Sequence, residues 1–223
     1  MNKFASFAAV GIIGGFLSYL HFRPVNHEYS APDAQYPIEQ TATMPEEHSV
    51  SLEDQIKAVE KLAGSELGKK VSYTVKDDKI ISLKMQDYAK DELDMQNLPY
   101  LQTLQVYNCG LKQVKNLGKD LKNLYLIKNE IAEIDLSGLD NLEDLVLNFN
   151  PLSDVNGLQD LQKLRRLCIG PTNIRRLGSI PGSVRYISVY DINKITDMEN
   201  IRQLRERGVE IFSDIPEQEY LIF

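Results

Sequence analysis

A pair of apolar residues separated by one position recurs along most of this chain at a nearly constant interval. The pairs are Leu83 and Met85, Leu104 and Val106, Leu124 and Leu126, Leu145 and Leu147, Leu167 and Ile169, Ile187 and Val189, and Val209 and Ile211, spaced 20 to 22 residues apart. Alternation of this kind marks a short strand with one buried face. A unit of this length cannot bury its own apolar face, so the repeats must stack and share a core. The predicted fold class is therefore an α/β solenoid of about seven parallel strands, whose core exists only as the stack.

Between strands the apolar residues fall three apart, as in Leu136, Leu139, Leu142 and again in Leu158, Leu161, Leu164. That spacing predicts 3₁₀-like turns on the outer side of each repeat. The interior position after each strand holds Tyr88, Cys109, Asn129, Asn150 and Thr172, then Asn193 one residue out of step. An Asn there can satisfy backbone groups buried in the bend. Cys is a weaker substitute, and Tyr88 must turn elsewhere. Before the repeats, Ser51-Leu52-Glu53-Asp54 resembles a helix capping box, followed by Leu52, Ile56, Val59 and Leu62 at helical spacing. A hairpin is expected next, with strands at 71–75 and 79–85 and its turn at Lys76-Asp77-Asp78. Asn200 to Arg207 read as a second helix closed by Gly208. Helices at both ends are expected to cover the apolar flanks of the terminal repeats.

The pattern L-x-x-L-x-L-x-x-N/C-x-L, seen in LQTLQVYNCGL (101–111) and most regularly in LKNLYLIKNEIAEIDLSGLDNLEDLVLNFNPLSDVNGLQDL (121–161), resembles the leucine-rich repeat. It is similar to the short type of about 22 residues found in internalin-like proteins and in a phosphatase-regulating subunit. The resemblance spans roughly residues 80–212, with departures at Tyr88, Thr172 and the displaced Asn193. It implies a right-handed superhelix with its parallel strands on a concave face, 3₁₀-like convex turns and helical caps. It implies nothing about a particular partner.

Residues 1–23 read as a membrane anchor or signal segment. The apolar run from Phe4 to Phe22 would rise about 28 Å as a helix, close to the roughly 30 Å hydrocarbon core. Leu20 and Phe22 are bulky where a cleavage site needs small residues, which favours an uncleaved anchor. Lys3 against Arg23 gives only a thin charge bias, toward a domain outside the cytoplasm, periplasmic or at the cell surface. Cleavage would make the protein secreted. Residues 24–50 hold four prolines and several acids with no Lys or Arg, the composition of a disordered acidic tether. Residues 51–79 form the N-terminal cap, 80–212 the repeats with their C-terminal cap, and 213–223 a tail ending in Tyr-Leu-Ile-Phe.

The net charge of −7 argues against nucleic acid as a partner, since phosphate binding needs a basic face. All three histidines (His21, His27, His48) precede the repeats. The repeats carry no glycine-rich phosphate loop and no metal-spaced Cys/His set, so no enzyme, metal or small-molecule cofactor is expected. Residues flanking the buried pairs face outward on each strand. Tyr107, Tyr125, Ile127, Val146 and Phe149 are thereby expected to form one exposed aromatic and aliphatic patch, extended by Arg166, Tyr186 and Tyr190. Clustered solvent-facing aromatics are the usual anchors of an interface. Arg165, Arg166 and Arg185 lie beside Glu143 and Asp144 one repeat earlier, so they either pair across strands or form an anion site. Cys168 lacks a base to activate it. The function expected is a membrane-tethered module that binds a protein or peptide through its concave face. Two alternatives remain open: a cytosol-facing regulatory subunit of an enzyme such as a phosphatase, and a hydrolase with an unrecognised carboxylate site.

Overall fold

The computed structural model describes residues 49–190 and 195–213. The expected anchor (1–23) and the tether up to residue 48, which between them hold all three histidines, lie outside the described residues, as do Asn193 and the tail from residue 214. Helix α1 (Leu52–Ala63) comes first, followed by strands β1 (Val71–Lys76), β2 (Lys79–Gln86), β3 (Glu92–Asp94), β4 (Thr103–Tyr107), β5 (Gln113–Lys115), β6 (Asn123–Ile127), β7 (Asp144–Val146), β8 (Arg166–Cys168) and β9 (Tyr186–Val189). Helix α2 (Met198–Glu206) and strand β10 (Glu210–Ser213) complete the order.

These elements build a β-solenoid. One eight-stranded sheet runs β1-β2-β4-β6-β7-β8-β9-β10, antiparallel only between β1 and β2. Its register aligns Leu83, Leu104, Leu124, Leu145, Leu167 and Ile187 in one column, each with no exposed surface. That column is the repeat spacing of the sequence made physical. The hairpin turn between β1 and β2 holds Asp77 and Asp78 at φ 49° and 57°, the two positive values that a two-residue hairpin loop requires.

The last strand departs from the sequence reading. Ile211, not Val209, stands beside Ile187, so Glu210 neighbours Tyr186 and Phe212 neighbours Ser188. Helix α2 precedes it and begins two residues earlier than expected, where the Asp197 side chain accepts a hydrogen bond from the Asn200 N–H. A helix in place of the shorter turns lengthens this repeat and shifts the strand by two positions.

The period-three spacing gives chains of i to i+3 backbone hydrogen bonds. Leu139 N–H donates to Leu136 O, Leu142 to Leu139, Leu161 to Leu158 and Leu164 to Leu161. The far side is not turns alone. β3 and β5 form a second parallel ladder, and a bridge pairs Asp135 with Asn156. Leu93 is buried beneath β3, while Lys115 to Glu92 (2.8 Å) and Asn116 to Asp94 (2.8 Å) join the rims of neighbouring turns. On α1, the buried Gln55 accepts the Ile80 N–H (2.9 Å), fastening the helix to β2.

The interior ladder works where it holds Asn. Asn129 Oδ1 accepts from Cys109 and Leu111 N–H, and its Nδ2 donates to Val106 and Ile127 O. Thr172 substitutes with one donated and one accepted bond. Tyr88 turns away, and its hydroxyl donates to Leu62 O on α1 (3.1 Å). Gly170 answers a different constraint. A Cβ there would collide with the Tyr190 backbone nitrogen and lie 2.8 Å from its Cβ. We expect Gly170→Ala to cost about 1–3 kcal/mol by forcing neighbouring turns apart, measured by urea unfolding; a neutral result would mean the turns are not in this contact.

Candidate binding groove on the strand face

Outward-facing residues of adjacent strands meet in rows. Tyr107 stands beside Ile127, and Tyr125, Val146, Cys168 and Ser188 follow one another across β6 to β9. Ile127, Val146 and Cys168 form a small apolar cluster separate from the main core, with Tyr107, Tyr125, Phe149 and Tyr186 packed partly over it. Six of the eight expected residues are thus brought together, Tyr186 among them. The expectation of full exposure is corrected: Ile127 and Val146 retain only 9% and 5% of their surface. The aromatic rings from neighbouring strands lie over them, so the aliphatic residues form a floor.

Tyr190 does not belong to this cluster. It is 45% exposed and lines a separate recess with Gly170 and Thr172, its backbone close against Gly170. Tyr186 stacks on Phe212 with ring centres 4.9 Å apart, a contact made possible by the shifted register of β10.

Arg166 enters the groove through a cross-strand pair. Its Nη2 donates to Asp144 Oδ2 (3.0 Å) and to the Tyr125 hydroxyl (3.3 Å), and that hydroxyl donates to the same carboxylate (3.3 Å). Both charged side chains are largely shielded, at 20% and 28% exposure. Burial and the neighbouring Asp144 push the Tyr125 hydroxyl pKa up, so it stays a proton donor. Arg165 and Arg185 instead lie exposed at the strand entrances, lining an open recess with Lys163 and Glu143. Arg185 donates to Gly182 and Val184 O, which ties down the preceding turn.

Lys128 was not legible as a groove residue. Its ammonium sits 5.5 Å from the Tyr107 ring centre and 5.8 Å from that of Phe149, within cation–π range of both. The signal lay in the turn position after each strand. Asp87, Asn108, Lys128 and Phe149 all have φ between 50° and 58°, and Asp and Asn are the types that tolerate it. The groove between these side chains has a volume of about 100 Å³, with Lys84, Gln105 and Tyr107 on one side, Tyr125 and Ile127 at the centre, and Arg166 at the far end.

Burial drives the Cys168 thiol up to about 12, only partly countered by Arg166, and burial also raises Cys109. At pH 8 about one Cys168 in ten thousand is then a thiolate. We expect neither thiol to react with iodoacetamide in the native protein and both to react after unfolding, read by intact mass; rapid native labelling of Cys168 would contradict its burial. Among the described residues no cluster of His, Cys, Asp and Glu is placed to hold a metal ion, and no helix is long and apolar enough to cross a membrane. A scan of protein-family models finds no match to the chain, and no curated protein matches it in sequence.

Proposed function

We propose that this chain is a leucine-rich-repeat recognition module, tethered to a membrane by its first 23 residues and held outside the cytoplasm, which binds a protein or peptide on the concave face of its strands. The observation that carries the reading is the second apolar cluster. Ile127, Val146 and Cys168 pack on the strand face outside the main core, with half-buried tyrosines over them. An apolar floor ringed by Tyr and Arg is the composition of a protein-binding anchor site. The Asn129 and Asn150 ladder and the repeat length support assignment to the short leucine-rich type. The apolar run at the amino terminus and the acidic, proline-bearing stretch after it support a tether.

The test is affinity capture with the full-length chain from membranes of its source. Wild type is expected to retain a partner that a Tyr125→Ala, Phe149→Ala double variant retains at least tenfold less. Equal capture of every partner by both proteins would remove the groove from the function.

A further inference from the structure

We infer that the recess where strands β7, β8 and β9 begin is a binding site for a dianionic phosphate group, free or esterified. It lies apart from the strand-face groove and does not depend on what binds there.

The residues at the strand entrances carry the inference. Glu143, Arg165 and Arg185 each stand one residue before a strand, and the backbone joins them in a row. Arg165 N–H donates to Glu143 O (2.8 Å), and Arg185 N–H donates to Arg165 O (2.9 Å). Equivalent positions on adjacent strands lie about 4.8 Å apart, so the two arginine side chains can converge on one small anion. Both line the recess, together with Lys163.

One residue further along, the same repeats place Asp144 and Arg166, which close an ion pair at 3.0 Å. Arg165 does not do the same with Glu143. Among the described residues its side chain makes no ion pair and no hydrogen bond, although the two residues are bonded through their backbones. Two fates were open to these arginines, pairing across strands or holding an anion. Arg166 takes the first, and Arg165 is left for the second.

The other two cations are held by neutral acceptors of the protein. Arg185 Nη1 donates to Gly182 O (2.7 Å) and Val184 O (2.9 Å), which leaves Nη2 and Nε for a ligand. Lys163 Nζ donates to Asn141 Oδ1 (2.6 Å), with donors to spare. Such acceptors fix the groups without cancelling their charge, so less ordering remains when an anion arrives.

Charge sets the ligand class. The described lining residues hold three cations to one carboxylate, Glu143, in a chain whose net charge is −7. That local excess matches a phosphate group, which carries about −1.5 to −2 at pH 7. Guanidinium forks are also geometrically suited to its oxygens. A single carboxylate answers only half of the excess.

The experiment is a ³¹P NMR titration of the full-length chain with inorganic phosphate and, separately, with glycerol 3-phosphate, at constant ionic strength. Saturable binding is expected for at least one of the two. Tighter binding of glycerol 3-phosphate assigns the site to an esterified group such as a headgroup, and tighter binding of inorganic phosphate assigns it to the free ion. Arg165→Gln is expected to weaken binding about tenfold, and Lys163→Gln to weaken it likewise. Arg165→Gln is also expected to keep its Tm within about 3 °C of wild type, because its charge has no partner in the fold. Glu143→Gln is expected to tighten binding about threefold by removing the opposing charge. Lys57→Gln, which removes an exposed cation on α1, is expected to leave binding unchanged. No saturation up to about 10 mM ligand would overturn the site. Equal losses from Arg165→Gln and Lys57→Gln would overturn it too, since diffuse surface attraction then accounts for the binding. Weaker binding by Glu143→Gln would overturn the charge argument.

Discussion

Replacing Leu145 by alanine is expected to destabilise the protein by about 2–5 kcal/mol. Leu145 sits on β7, paired with Leu124 on β6 and Leu167 on β8, and none of the three has any exposed surface. A solenoid repeat touches only its neighbours, so no distant element can close over the cavity that the truncation leaves. The cavity also weakens two interfaces at once, those with the preceding and following repeats. Urea unfolding followed by circular dichroism measures the effect. A loss below about 1 kcal/mol would mean that this leucine column is not the interior of the stack.

Asn150→Ala is expected to cost about 3 kcal/mol, nearly as much as a large core truncation. The side chain is 4% exposed and serves four backbone groups. Its Oδ1 accepts the Ile131 N–H (3.1 Å), and its Nδ2 donates to Leu126 O (2.6 Å), Leu147 O (3.0 Å) and Asn148 O (3.3 Å). Alanine removes all four bonds and leaves the Ile131 N–H and the Leu126 and Leu147 carbonyls without this partner in an apolar interior, while Asn148 O keeps the Lys128 N–H. Asn150→Leu is no remedy, because it fills the volume without restoring a single hydrogen bond. Equilibrium unfolding of the two variants gives the comparison. If Asn150→Leu were as stable as wild type, packing rather than backbone satisfaction would set the choice of residue here.

The leucine column was legible because burial imposes a period-two pattern and stacking imposes a constant interval. Both survive in a single sequence. The ladder was legible for a related reason: Asn129 and Asn150 answer the backbone groups left over in their bends, and Tyr88, which cannot, finds Leu62 O on α1 instead. The shift of β10 was hidden because Val209 and Ile211 satisfy the strand pattern in either register. Only the number of residues taken up by α2 decides between them. The β3–β5 ladder was hidden because the apolar pair Leu93 and Met95 is not repeated on β5, where Val114 is followed two residues on by Asn116.

The groove was legible in membership but not in depth. Alternation places Tyr125, Ile127 and Val146 on the outer face, yet exposure depends on what neighbouring strands lay across them. Side chains from five successive turns meet here, and that is a property of register rather than of any one repeat. Asp144 acquires its meaning in the same way, as the carboxylate shared by Tyr125 and Arg166. Lys128 was overlooked because its placement follows from a left-handed turn and two rings, each one repeat away from it on either side, which a local pattern does not bring together.

The claim that partners bind on the strand face is tested most directly by site-specific photocrosslinking in the full-length protein. A photoreactive phenylalanine derivative would replace Tyr107, half-buried at the groove, or Asp140, exposed in an outer turn. Irradiation in source membranes is expected to give a partner adduct from position 107 and none from position 140. Adducts from position 140 alone would place recognition on the opposite side and contradict the account.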